Sequence, residues 1–125
     1  MDAKAGPNYA PSEAVQYDCV LVDDDELVHL TWRLAAERAG VRLLTLASAE
    51  AALDHIPALA KHTALYIDVK LRGGLSGEQL AYRLHQEGFS NLFLQTGYDV
   101  STIPAQAMPW LKGIVGKEPP WPDAL

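Results

Sequence analysis

Four aspartates directly follow short apolar segments of this chain, where their carboxylates could share one cation. Asp23, Asp24 and Asp25 come after one apolar run, and Asp68 comes after another. Clustered carboxylates repel one another and raise each other's pKa, and a divalent cation relieves this repulsion. Mg²⁺ prefers oxygen ligands and retains several waters, so one or two carboxylates and a phosphate oxygen suffice to hold it. The pattern therefore predicts a site for Mg²⁺ or Mn²⁺.

A hydroxyl and an ammonium group stand in equivalent places further along the chain. Thr96 follows a third apolar run, and Lys117 follows the last one. The carboxylate of an aspartate such as Asp68 can act as a nucleophile and form an aspartyl phosphate. A hydroxyl and an ammonium group can bind the other phosphoryl oxygens and stabilise their charge. These residue types together predict phosphoryl transfer centred on Asp68.

The composition predicts one globular domain. The chain has 125 residues, and its net charge of −6 argues against binding to nucleic acid or to an anionic membrane surface. The single cysteine, Cys19, excludes an internal disulfide and suits a reducing compartment. No apolar stretch is long enough to span a membrane, and residues 1–16 lack the pattern of a signal peptide. We therefore predict a cytoplasmic protein.

Apolar segments alternate with helical patterns from residue 17 onward. Because the apolar segments show no polar alternation, they are typical of parallel strands that are covered on both faces. Their connections are short, which favours βαβ units with right-handed crossovers and helices on both faces of one sheet. The predicted strands are residues 17–22, 41–46, 64–69, 92–95 and 111–115.

The first helix is predicted from an apolar repeat. Leu27, Leu30, Leu34 and Ala35 recur at helical spacing, and Gly40 supplies the end of the helix. Trp32 lies among these positions and is predicted to pack. The histidines show no metal-ligand spacing and are predicted to lie at the surface or on amphipathic faces; they are His29, His55, His62 and His85.

Two further helices have clear start and stop signals. Ser48 caps the second helix, which Pro57 should end or kink. Ser76 and Gln79 form a capping box at the start of the third helix, which Gly88 ends. Two prolines in the segment 97–116 leave room for only one or two helical turns there.

In open sheets of this kind, ligands bind beyond the carboxyl ends of the strands. Asp23, Asp68, Thr96 and Lys117 each stand at a predicted carboxyl end. The fold and the chemistry therefore indicate the same edge of the sheet.

Four motifs in this order give the chain a resemblance to the receiver domain of two-component response regulators, over residues 17–119. The resemblance implies a flavodoxin-like, doubly wound five-stranded parallel sheet with strand order 2-1-3-4-5. The matching segments are residues 22–25 (acidic pair), 66–69 (phosphoacceptor strand), 95–98 (hydroxyl strand) and 116–119 (lysine strand), with residues 71–77 as the loop after the phosphoacceptor.

The resemblance also implies a role for each site residue. Asp68 would accept a phosphoryl group from a phosphohistidine, and Thr96 and Lys117 would contact that group. The implied ligands of the metal ion are Asp23, Asp24, Asp68 and the backbone carbonyl of Lys70.

The chain departs from the receiver pattern after the fourth strand. The fourth helix is expected to be short, and no final helix is expected after Lys117. We predict a mobile arm at residues 1–16, a receiver domain at 17–119 and an irregular tail at 120–125. The sheet face beside the first helix should then lack cover, which Trp121, the arm or a second copy in a homodimer would supply.

Two single residues depart from the pattern as well. Ile114 stands where receivers often carry an aromatic switch residue, and Tyr98 is a possible substitute. Lys70, two residues after Asp68, places a cation near the site and is expected to alter the lifetime of the phosphate.

The leading interpretation is a stand-alone receiver that is not an enzyme acting on other substrates. Its partners would be a histidine kinase or a histidine phosphotransfer protein and a downstream protein. One alternative is an adaptor that keeps the receiver fold without phosphorylation. A second is a Mg²⁺-dependent phosphatase of the haloacid-dehalogenase type, since Asp23 and Asp25 resemble its first motif, although this leaves Asp68 without a role.

Overall fold

The computed structural model describes residues 16–122, which form a five-stranded parallel sheet. The predicted strand order 2-1-3-4-5 is confirmed, because the sheet runs β2-β1-β3-β4-β5. The predicted arm at residues 1–16 lies almost entirely outside the described residues, as does the end of the predicted tail. The strands are β1 (Cys19–Val22), β2 (Leu43–Leu46), β3 (Ala64–Asp68), β4 (Leu92–Gln95) and β5 (Gly113–Val115).

Three α-helices connect the first four strands: α1 (Glu26–Ala39), α2 (Ala49–His55) and α3 (Gly77–Gln86). Their predicted caps are present: Ser48 accepts a hydrogen bond at the start of α2, and Ser76 and Gln79 form the capping box of α3. Gly40 ends α1 with φ of 71°, a conformation that glycine adopts at little cost. Pro57 lies in a 3₁₀ turn, Ile56–Ala58, that directly follows α2.

The fourth helix, predicted to be short, is replaced by irregular backbone. Two 3₁₀ turns, Val100–Thr102 and Ala105–Ala107, occupy the connection between β4 and β5. Within the described part of the chain, residues 116–122 contain no helix after β5. None of the helices in residues 16–122 is long and apolar enough to cross a membrane.

The larger core lies on the face of the sheet that α2 and α3 cover. It combines alternate residues of the strands, such as Val20 and Ile67, with Leu80 and Leu84 of α3, all with no exposed surface. The irregular connection contributes Met108 to the same face together with other partly buried residues. Burial of these apolar side chains is the main force that holds the sheet and the two helices together.

The opposite face, beside α1, is aromatic. The Trp32 ring meets Tyr66 edge-on at a centroid distance of 5.2 Å and Trp121 at 5.3 Å, while Tyr66 stacks on Phe93 at 4.5 Å. Trp121 therefore covers part of the face that is expected to lack cover, and the predicted packing role of Trp32 is confirmed.

The apolar repeat that predicted α1 does not face the sheet. Leu27, Leu30 and Leu34 are 68%, 51% and 47% exposed, whereas the buried positions of α1 are His29, Trp32 and Ala36. Since each residue turns about 100° around the helix axis, the leucines lie on the side of α1 opposite Trp32 and Ala36. The large indole ring, rather than the leucines, fills the space between α1 and the sheet.

Candidate functional site

The two central carboxylates meet because their strands are neighbours in register. Val22 pairs with Ile67, so that Asp23, directly after β1, and Asp68, at the end of β3, lie side by side at the carboxyl edge. Asp23 has no exposed surface and Asp68 is 6% exposed. A pair of buried carboxylates requires a cation or hydrogen-bond donors nearby.

Lys117 supplies that positive charge. Its Nζ lies 2.6 Å from Oδ2 of Asp23 and 3.1 Å from Oδ1 of Asp68. Burial alone would lower the pKa of Lys117, but its hydrogen bonds and charge interactions with the two aspartates outweigh burial and raise that pKa. Burial is also the largest influence on Asp68, and together with the charge of Asp23 it raises the pKa of Asp68 despite the opposing effect of Lys117.

A third carboxylate stands close enough to share a metal ion. Asp23, Asp24 and Asp68 can each offer one carboxylate oxygen, and these oxygens lie within 4.8 Å of one another. Asp24 also forms an ion pair with Arg72, whose Nε lies 3.0 Å from its Oδ2. Oxygen donors from three acids fit a hard cation such as Mg²⁺.

Thr96 and Lys70 are the other predicted site residues. The structure places both around a cavity of about 420 Å³ that opens beside Asp68. Oγ1 of Thr96 accepts the backbone N–H of Tyr98 at 3.0 Å, which leaves the hydroxyl hydrogen able to donate. Nζ of Lys70 lies 4.6 Å from the centre of the Tyr98 ring, at the rim of the cavity.

Two residues of α1 hold the backbone of the site, and sequence reasoning missed both roles. Nε2 of His29 donates to the carbonyl oxygen of Asp23, because a carbonyl can only accept. Nε1 of Trp32 donates to the carbonyl oxygen of Lys117 at 2.9 Å. His29 is only 3% exposed, so its predicted surface or amphipathic position is wrong. Neither contact has a local sequence signal, since Trp32 and Lys117 are 85 positions apart.

Gly77 is a further residue whose role the sequence does not reveal. A Cβ atom at this position would overlap the backbone oxygen of Asp68 and lie 2.7 Å from its carbonyl carbon. The N–H of Gly77 donates to the carbonyl oxygen of Val69 at 3.1 Å. The first turn of α3 therefore touches the backbone of the predicted phosphoacceptor, which only a residue without a side chain permits.

Solved structures share this arrangement of strands and helices. A CheY-like response regulator receiver domain protein from Methanospirillum hungatei JF-1 is 19% identical, with a TM-score of 0.70 over 87% of this chain and 86% of that chain. The receiver domain of the Francisella response regulator 1452 is 15% identical, with a TM-score of 0.69 over 82% and 84%. The chain has the receiver fold. No protein-family model and no curated protein matches the sequence.

A third similar structure concerns the chemistry of such a site. It is a response regulator protein from Burkholderia pseudomallei with a phosphorylated aspartic acid, a calcium ion and citrate. It is 22% identical, and the similarity has a TM-score of 0.66 over 86% of this chain and 62% of that chain.

The position of Asp25 gives no support to the phosphatase alternative. Oδ1 of Asp25 accepts the backbone N–H of Leu27 at 2.9 Å, as the N-cap of α1, and the side chain is exposed. The acid cluster contains Asp68 in its place. In the receiver fold observed here, Asp25 starts a helix and Asp68 faces the cavity.

Proposed function

We propose that the chain is a receiver in which Asp68 accepts a phosphoryl group from a phosphohistidine of a kinase or phosphotransfer protein. The observation that carries this proposal is the pair of buried carboxylates, Asp23 and Asp68, bridged by the partly buried Lys117 beside an open cavity lined by Thr96. The site combines a nucleophile, an acid for metal binding, an ammonium group and a hydroxyl. This set serves phosphoryl transfer better than any other reaction class.

Asp23, Asp24, Asp68 and the backbone carbonyl of Lys70 would hold Mg²⁺, or Mn²⁺. Bound there, the ion would neutralise the charge of the phosphoryl oxygens. The three-acid cluster supports this assignment, and so does the Burkholderia structure with its phosphorylated aspartic acid and calcium ion.

The transfer itself replaces one bond to phosphorus by another. A carboxylate oxygen of Asp68 attacks phosphorus, the P–N bond of the phosphohistidine breaks, and its electron pair stays on the imidazole. The products are an aspartyl phosphate and a histidine. The ammonium group of Lys117 and the hydroxyl of Thr96 donate hydrogen bonds to phosphoryl oxygens, which stabilises their charge.

The same contacts supply a switch. Lys117 is bound to two carboxylates before phosphorylation, and a phosphoryl group on Asp68 offers it a third anionic partner. Thr96 is directly linked to Tyr98, a 67% exposed aromatic residue, through the hydrogen bond at 3.0 Å. A movement of Thr96 toward the phosphate would therefore shift an exposed ring, which a downstream protein in the cytoplasm can recognise.

We expect Asp68→Asn to abolish phosphorylation because the amide removes the nucleophile. Intact mass after incubation with Mg²⁺ and acetyl phosphate, or with a phosphorylated histidine donor, measures the adduct. The wild type should gain one phosphoryl group only with Mg²⁺, and the control Asp54→Asn, an exposed aspartate of α2, should behave like the wild type. A wild type that stays unmodified by every donor would instead favour the phosphate-independent adaptor.

We expect Lys70→Ala to shorten the lifetime of the phosphate by up to about fivefold, which corresponds to the roughly 1 kcal/mol of an exposed charge contact. Lys70 and Tyr98 border the cavity, so truncation of Lys70 removes a nearby cation and opens the site to water. Loss of the phosphorylated mass with time measures the rate. Lys112→Ala, an exposed lysine outside the cavity, serves as the control. Equal rates for Lys70→Ala and the wild type would remove Lys70 from the mechanism.

A further inference from the structure

The exposed leucines of α1 form an apolar stripe with no partner among the described residues. Leu27, Leu30 and Leu34 are all about half exposed or more, and they stand three and four residues apart. Apolar residues at this spacing form the narrow seam along which two helices pack against each other in water. The three leucines are called the leucine stripe below.

A groove borders the leucine stripe on one side. It has a volume of about 270 Å³ and lies between α1 and the segment after β5, with Leu34 and Ala35 on one wall and Trp121 and Pro122 on the other. Thr31 and Arg38 line the groove as well, but the other five lining residues are apolar, so the groove accepts an aliphatic side chain. Leu27 is 68% exposed and lies two turns before Leu34, so its side chain is too far along the helix to enter the groove of its own copy.

The charges beside the stripe select the orientation of a second helix. Glu26 and Arg33 are exposed, lie on the side of the stripe away from the groove, and stand near opposite ends of it. A two-fold axis across the helix brings the same side of two antiparallel copies together. Glu26 of one copy then lies close to Arg33 of the other, twice by symmetry. A parallel pair about a two-fold axis along the helices would instead bring the Glu26 side of each copy against the groove side of the other, so Glu26 and Arg33 would not meet.

From this complementarity we propose that α1 is a self-association surface, on which a second copy of this chain packs antiparallel about a two-fold axis. Alignment of Leu27 with Leu34 of the other copy places Leu30 at the axis. Leu27 of each copy then enters the groove beside Leu34 and Trp121 of the other. The pairing uses residues outside the phosphorylation site, so it stands whether or not Asp68 is phosphorylated.

Sedimentation velocity of the full chain over a wide range of concentrations tests the proposal. The wild type should pass from monomer to dimer as its concentration rises. Leu27→Ser combined with Leu30→Ser should weaken the association at least about tenfold, because two exposed leucines per copy lose their apolar contacts. Tyr82→Ser, a half-exposed residue of α3 on another surface, should leave the association unchanged.

A charge exchange tests the antiparallel arrangement separately. Glu26→Lys and Arg33→Glu should each weaken the dimer about three- to tenfold, since each creates two repulsive contacts. The double exchange should restore it. A wild type that remains monomeric at the highest concentration overturns the proposal, and so does a dimer that depends on Tyr82 rather than on the leucine stripe. A double exchange no better than its single members overturns the antiparallel pairing.

Discussion

Replacement of Lys117 by methionine is expected to lower the free energy of unfolding by about 3 kcal/mol at neutral pH without divalent metal. Asp23 has no exposed surface, and Lys117 is its ion-pair partner at 2.6 Å. Removal of the ammonium group leaves two adjacent carboxylates, Asp23 and Asp68, without a neutralising charge. Methionine keeps most of the side-chain volume, so the loss reports the charge. Urea denaturation measures it.

Mg²⁺ should reverse this loss. In the wild type, the ammonium group of Lys117 already neutralises Asp23 and Asp68, two of the three acids that would hold a metal ion, whereas in Lys117→Met these two carboxylates lack that positive charge. The urea midpoint of Lys117→Met should therefore rise more with Mg²⁺ than that of the wild type. Lys112→Met, an exposed lysine, should match the wild type in both respects. Equal Mg²⁺ effects in Lys117→Met and the wild type would contradict the competition.

The difference in the free energy of unfolding between the wild type and Lys117→Met should depend on pH in a definite direction. The ion pairs with Asp23 and Asp68 raise the pKa of Lys117 in the folded protein above the ordinary lysine value of 10.5. The stabilisation is therefore complete below that unfolded value and disappears as the pH rises through the higher folded value. The gap between the wild type and Lys117→Met should be steady near neutral pH and narrow in strong alkali.

A single methyl group at position 77 is expected to be nearly as damaging. In Gly77→Ala, the new Cβ would overlap the backbone oxygen of Asp68, and neither backbone segment can rotate away as a side chain could. Either α3 moves off the sheet or the end of β3 is displaced. We expect a loss of about 3 kcal/mol in the free energy of unfolding, the upper range for overpacked sites, together with slower phosphorylation of Asp68.

The same loop offers a matched control for Gly77→Ala. A Cβ atom on Gly74 would have no other atom within 4 Å, and Gly74 has no positive φ, so Gly74→Ala adds the same methyl group without a contact. It should match the wild type in urea denaturation and in phosphorylation by acetyl phosphate. If Gly77→Ala were as stable as Gly74→Ala, the close approach of α3 to Asp68 would be wrong.

The carboxyl-edge site is the part of the protein that local sequence determined most fully. Asp23, Asp68 and Lys117 are predictable neighbours because each follows an apolar strand, and parallel strands end at the same edge. Because all the strands are parallel, the alternation of strands and helices along the chain is enough to place these side chains at the carboxyl edge. The helix caps Ser48 and Ser76 are predictable for a related reason, since each bonds to a backbone group only three residues away.

The tertiary structure alone decided which side of α1 faces the sheet. The repeat of Leu27, Leu30 and Leu34 indicates an apolar face correctly but not its direction, because three leucines suit a partner helix as well as a core. Trp32 settles the direction, since its indole ring fills the space against Tyr66 and Trp121 while its N–H reaches the carbonyl of Lys117.

The contacts of His29 and Gly77 are likewise beyond the sequence. His29 binds the carbonyl of Asp23 across one helical turn and a loop, and Gly77 touches the backbone of Asp68 from a different element. Periodicity and capping describe neighbours along the chain, whereas these contacts depend on the distance between packed backbones. Local pattern thus determined the parallel strands and the chemistry at their carboxyl edge, while the strand order came from the family resemblance. Packing determined which residues hold that chemistry in place and which surface of α1 is left for a partner.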